Sequence, residues 1–167
     1  MALSAVVKSS VAITQTGAGD LESATSRINE SSTLTYTDGA GAGQANLQWT
    51  DERTIAASGT ENLDVAGSLA NLLGTVVFAR LKYIRITASA NNTNNVNFSA
   101  PASNGVPGIF IALGDGVSIP PGGKFEWGDP GATGAVVTAS TGDLLTVANS
   151  GGSTSVTYKI LIIGASS

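Results

Sequence analysis

Hydrophobic residues in this chain alternate with polar ones at a period of two far more often than at 3.6, which predicts strands rather than helices. Leu3 to Gln15 is apolar but irregular: Val6, Val7, Val11 and Ile13 are separated by Lys8-Ser9-Ser10. It reads either as an extended arm able to add a strand to a neighbouring subunit or as a first strand of its own sheet. Thr16 to Ser32 carries Gly17, Gly19, Asp20, Glu22, Arg27 and Glu30 with little apolar content. That composition suits a solvated loop or a short helix. The boundaries that follow are an N-terminal arm and loop over 1–31 and a β-sandwich domain over 32–167.

Ser32 to Thr37 alternates cleanly and ends at Asp38-Gly39, a strong turn signal. Asn46 to Ala57 places Asp51 and Arg53 in the same parity as Leu47, Trp49 and Ile55, which predicts two short strands with a bend near Asp51. A strand is expected at Asn62–Val65, and one helical turn or an anchored loop at Ser68–Leu73. Thr75 to Ala88 is the longest strand candidate, with Arg80, Lys82 and Arg85 interrupting the apolar residues. A bulge or bend is expected near Arg80. Asn91 to Asn97 is a polar tip, and Gly108 to Leu113 is apolar on both faces. Pro120-Pro121-Gly122-Gly123 is a rigid turn feeding Lys124-Phe125-Glu126-Trp127. Ala135–Val137 and Leu144–Val147 precede Thr154–Ile163, which is expected to be a central, buried strand. Eight or more short strands with regular turn signals predict an all-β fold, an antiparallel β-sandwich of jelly-roll-like form.

Composition sharpens this picture. The 167 residues contain 21 Gly and only 12% charged residues, against about 25% in an ordinary soluble domain. With 42% hydrophobic residues one core is affordable without disulfides or metal. There is no Cys and no His, so thiol nucleophiles, thiolate zinc sites, Ser-His-Asp triads and His-based acid/base chemistry are excluded. The formal net charge of −4 opposes nucleic-acid binding, which draws on clustered Lys and Arg. No apolar run reaches the roughly 18 residues of a membrane helix. The first residues lack the basic-then-apolar order of a signal peptide. The Asn-x-Ser/Thr triplets at Asn29, Asn91 and Asn97 therefore read as chance matches.

The remaining chemistry has a plain reading beside each functional one. Asp51-Glu52, or Glu61 with Asp64, offers a glycosidase-like carboxylate pair, but nothing in the spacing demands it and solvated turn carboxylates are the better reading. Asp38, Asp115, Asp129 and Asp143 each stand beside Gly, where an oxygen-rich calcium loop is conceivable, but turn formation needs the same residues. Trp49, Trp127, Tyr36, Tyr83 and Tyr158 are either a sugar-stacking platform or core filler, with Trp127 the expected loop-borne interface anchor. Arg80, Lys82 and Arg85 form either a solvated sheet face or a basic stripe for an acidic partner. No cofactor is expected. The interface candidates are therefore Val6, Val7, Val11, Ile13, Arg80, Lys82, Arg85 and Trp127.

A start at Met1, the absence of Cys and His, Ala/Gly/Ser/Thr-rich strands and the run from Gly114 to Trp127 with its Ile119-Pro120-Pro121-Gly122-Gly123-Lys124-Phe125 turn into a strand together resemble the accessory structural proteins of tailed-bacteriophage virions. The likeness covers about the last two thirds of the chain. It implies a non-enzymatic capsid decoration or cement protein, made in the host cytoplasm and placed on the outer capsid surface. Its implied partners are the major capsid protein and further copies of itself, as trimers or dimers, with no nucleic acid and no membrane. A tail-tip or fibre-associated glycan-binding protein, using Trp127 and Asn91–Asn95, is the alternative.

Overall fold

The computed structural model describes residues 2–67 and 69–167; the expectations for Met1 and Ser68 lie outside the described residues. The described residues form thirteen strands: β1 Ala5–Ala18, β2 Ser23–Tyr36, β3 Leu47–Ile55, β4 Thr60–Asp64, β5 Leu69–Asn71, β6 Gly74–Val76, β7 Arg80–Ala88, β8 Val96–Ser99, β9 Gly116–Ile119, β10 Lys124–Gly128, β11 Ala135–Val136, β12 Leu144–Asn149 and β13 Val156–Ala165. The chain is all-β, and each ladder between these strands is antiparallel.

Two sheets build the body. One runs β10-β7-β13-β3, with β11 also pairing β7; the other runs β4-β12-β8-β9. A single hydrophobic cluster joins them: Trp49, Ile84, Ile86, Tyr158, Ile160 and Ile162 from the first meet Leu63, Val96, Phe98, Ile119, Leu145 and Val147 from the second. The inward residues follow the two-residue period of a strand, so the apolar parity of each segment points to this core. β13 lies between β7 and β3 and is mostly buried, as its apolar run predicts. Pro120 to Gly123 closes a type II turn in which Gly123 N–H donates to Pro120 C=O at 2.8 Å. Gly122 supplies the positive φ, +74°, that this turn requires at its third position.

Several local expectations are corrected. Asn46–Ala57 holds one unbroken strand, β3, because Asp51 and Arg53 neutralise each other on the core side and no bend is needed. Residues 69–76 form the β5–β6 hairpin, not a helical turn. Gly108–Leu113 is a series of turns: Ile109 is buried, whereas Ile111 is fully exposed. The expected bulge exists at Lys82, since Tyr83 faces Ile163 while Leu81 faces Gly164 and Lys82 is left between them.

The largest correction concerns residues 16–32. They are not loop or short helix but the distal part of a hairpin in which β1 and β2, fourteen residues each, pair without interruption from Ala5↔Tyr36 to Ala18↔Ser23. At about 3.4 Å per residue each strand is roughly 45 Å long. Serines and threonines dominate β2, and their β-competent backbone pairs even though few side chains are apolar.

Candidate interface: the β1–β2 ribbon and the groove at its base

The ribbon is fastened to the body only at its root. Ala5, Val7, Leu34 and Tyr36 share one ribbon face and pack with Leu3 on Ala45, Tyr83, Leu161 and Ile163, a second small apolar cluster on the outer face of the β7–β13 sheet. Tyr36 Oη donates to Lys82 C=O at 2.9 Å, and Leu3 N–H donates to Asp38 Oδ1 at 3.1 Å. Beyond Ser9 and Leu34 both ribbon faces are exposed. The root face continues outward as Val11, Ile13 and Ile28, which remain 51%, 49% and 54% exposed, with Glu30 opposite Val11. The reverse face carries Val6, Lys8 and Arg27 among small polar residues.

A groove of about 840 Å³ lies between the start of β1 and the body. Its walls include Leu73 and Val76 of the β5–β6 hairpin and Tyr83, Arg85, Leu161 and Ile163 of the outer sheet face. Among its described lining residues the charged ones are Lys8 and Arg85, both cations.

The structure brings Val6, Val7, Val11 and Ile13 onto one ribbon, with Val6 on the opposite face from the other three. It disperses the basic group. Arg80 donates to Ala132 C=O at 3.0 Å, and Arg85 stands exposed on the groove wall. Lys82 is fully buried: it keeps the inward parity of Ile84 and Ile86, and the bulge adds Leu81 on the same side. Its Nζ donates to the carbonyls of Gly131 and Ala132, the latter at 2.6 Å, and so ties down the loop after β10. Burial holds the Lys82 ammonium below its ordinary pKa, with Asp129 acting in the opposite sense. The basic stripe is therefore absent. Trp127 is not a loop anchor either: it lies in β10 opposite Ile84, half-buried against the main core. Ile28 was missed because its segment reads as polar, and only the register with Ile13 reveals it. Leu72 and Leu73, both exposed at the β5–β6 turn, were also missed.

The carboxylates are engaged in structure. Glu61 and Asp64 sit three apart on β4 and therefore point to opposite faces, as do the adjacent Asp51 and Glu52. Glu61 accepts from Tyr158 Oη at 2.7 Å and from Arg53 at 2.9 Å; Asp51 takes the other side of the same guanidinium. The guanidinium lies 5.3 Å from the Trp49 ring centroid. Burial opposes the Arg53 charge, but hydrogen bonds to Asp51 and Glu61 outweigh it and raise its pKa. The Tyr158 hydroxyl is pushed strongly up by burial and by Glu61. Asp64 Oδ1 accepts from Ala66 N–H, and Glu52 pairs with Lys159 on the outer face. Asp115, Asp129 and Asp143 each accept a backbone N–H two or three residues away, and Asp38 accepts that of the distant Leu3. Among the described residues no three acidic side chains gather as a metal site would require. No protein-family model, curated protein or solved structure matches the chain.

Proposed function

We propose that this protein is a non-enzymatic structural component of a virion, a capsid decoration or cement protein that holds neighbouring major capsid proteins together from the outer surface. Its body is then a jelly-roll-like sandwich and its β1–β2 ribbon the attachment element. One observation carries this reading: a ribbon of two fourteen-residue strands is exposed along both faces beyond its root. A two-stranded hairpin in water is marginal by itself and gains stability when a face or edge is covered. Both outer edges of the ribbon are unpaired, and its β1 edge carries neither Pro nor a bulge, the usual protections against strand addition. A segment built this way is suited to lie on another subunit. Binding only the assembled shell stabilises that shell by mass action, repeated at each site.

The glycan-binding alternative relied on Trp127 and the Asn91–Asn95 loop. Trp127 is half-buried in β10. Asn92 pairs with Thr157 in both directions, Asn94 donates to Thr154 and Asn95 to Ser118. The ribbon, and not these loops, therefore carries the proposal.

Cryo-EM of purified native particles tests it. Density for the body at regular positions on the shell, with the ribbon crossing to a neighbouring subunit, is the expected result. Density confined to the tail, or none on the particle, overturns it. A variant in which residues 10–31 are replaced by Asn-Gly keeps the root contacts and is expected to lose shell occupancy.

A further inference from the structure

We propose that the protein self-associates by seating the apolar ribbon face of one copy, Val11, Ile13, Ile28 and Glu30, in the groove between β1 and the outer sheet face of a second copy. The proposal rests on the reading of the ribbon as an attachment element and names a second copy of this chain as what it grips. Three features fit the two surfaces to each other.

The first is shape and polarity. The ribbon face presents three half-exposed aliphatic side chains side by side, Ile13 directly opposite Ile28. The groove offers Leu73, 64% exposed, and the half-buried Leu161 as apolar walls over a floor of the buried Val76, Tyr83 and Ile163. Tyr83, Leu161 and Ile163 belong to the cluster that already receives Val7 and Leu34 at the ribbon's own root, and Leu73 extends it from the β5–β6 hairpin.

The second is charge. Among the strand residues on this ribbon face, Glu30 is the one charged side chain, while Arg27 lies on the reverse face opposite Thr14. The charged residues lining the groove are cations, Lys8 and Arg85. An anion-bearing apolar face thus meets a cation-bearing apolar groove, the complementarity that fixes register between partners.

The third is extent. Residues 10–33 present about half their side chains on this face, and reciprocal seating of two copies doubles that contact toward the size of a standard interface. β1 pairs with β2 alone, so its outer edge along the groove also leaves backbone groups for an incoming strand. Each copy owns both surfaces, so reciprocal exchange closes a dimer, whereas head-to-tail exchange gives a ring or an open filament according to the rotation between copies.

Sedimentation velocity on the intact chain and on Glu30→Arg, Arg85→Glu and the double reversal tests the pairing. Glu30 and Arg85 are exposed, but Arg85 stands directly opposite Glu126 on β10, so urea unfolding of each variant is measured alongside to show that its monomer is folded. The expected result is an assembling wild type, a dissociation constant raised at least about tenfold in each single variant, and recovery in the double variant. A monomeric wild type through the micromolar range overturns the proposal, as do single variants that assemble normally or a double variant no better than either single. Because the chain has no cysteine, mixing Ile28→Cys with Leu73→Cys gives a second readout. A disulfide-linked heterodimer is expected, and its absence under oxidising conditions counts against the geometry. A monomeric protein that still decorates particles sinks this inference and leaves the shell reading standing.

Discussion

Lys82 follows the inward parity of Ile84 and Ile86 and carries a cation into the protein beside the bulge. Its stem is enclosed and its ammonium serves the carbonyls of Gly131 and Ala132. Lys82→Met keeps the stem volume but leaves the Gly131 carbonyl without its donor and the Ala132 carbonyl with Arg80 alone, so a loss of about 1 to 3 kcal/mol is expected in urea unfolding. Faster proteolysis within residues 129–134 is expected to accompany it. Tyr36 gives a pH signature. Burial, then Asp129 and Tyr83, push its hydroxyl from 10 up to about 12. A proton held more tightly in the folded state contributes stability that is complete below pH 10 and lost as pH rises toward 12. At about 1.4 kcal/mol per unit, the loss is roughly 2 to 3 kcal/mol over that window. Lys82 has the opposite sign: its depressed pKa costs stability at neutral pH, and that cost fades as pH approaches the ordinary lysine value. Tyr36→Phe is therefore expected to flatten the alkaline decline of stability between pH 10 and 12, measured by urea titrations at each pH. Gly164, beside the bulge, is a steric requirement: a Cβ there would meet Arg80 C=O at 2.2 Å. Gly164→Ala is expected to destabilise by about 2 kcal/mol or more, because a backbone carbonyl in a ladder cannot step aside.

The elements differ in what keeps them folded. β7, β13, β8 and β12 bury their inward residues in the shared core, and Phe98 sits at the meeting of three rings, 5.8 Å from both Phe110 and Phe125. Phe98→Ala is expected to cost about 3 to 5 kcal/mol in the main unfolding transition. The ribbon has ladder hydrogen bonds but, beyond its root, almost no burial. Local opening then costs little. Hydrogen exchange on dilute protein is expected to be fast for amides of residues 10–31 and slow for β13, with ribbon protection appearing as the protein assembles. Slow ribbon exchange at every dilution would contradict this. The strand content was legible in the sequence wherever one face is buried, as at Val156–Ile163, Leu144–Val147 and Leu34–Tyr36. It was not legible at residues 16–32, because a strand exposed on both faces has no apolar period to display.

For the whole molecule, the absence of Cys and His, the low charge and the alternation of apolar residues determined an antiparallel all-β chain and excluded the chemistry of thiols and imidazoles. They did so because composition limits the available functional groups and strand period reports which side of a segment is dry. Turns such as Pro120–Gly123 were equally legible, since their dihedral angles demand particular residues. Tertiary structure alone decided the rest. It set the register that places Ile28 beside Ile13, the loop carbonyls that receive the buried Lys82, the pairing of Glu61 with Arg53 and Tyr158 across sheets, and the groove beside β1. Each of these depends on which residues from distant segments are brought opposite one another, and a shift of one residue in a ladder reverses the face of every side chain that follows. A sequence pattern specifies a face; only the assembled sheets specify what that face meets.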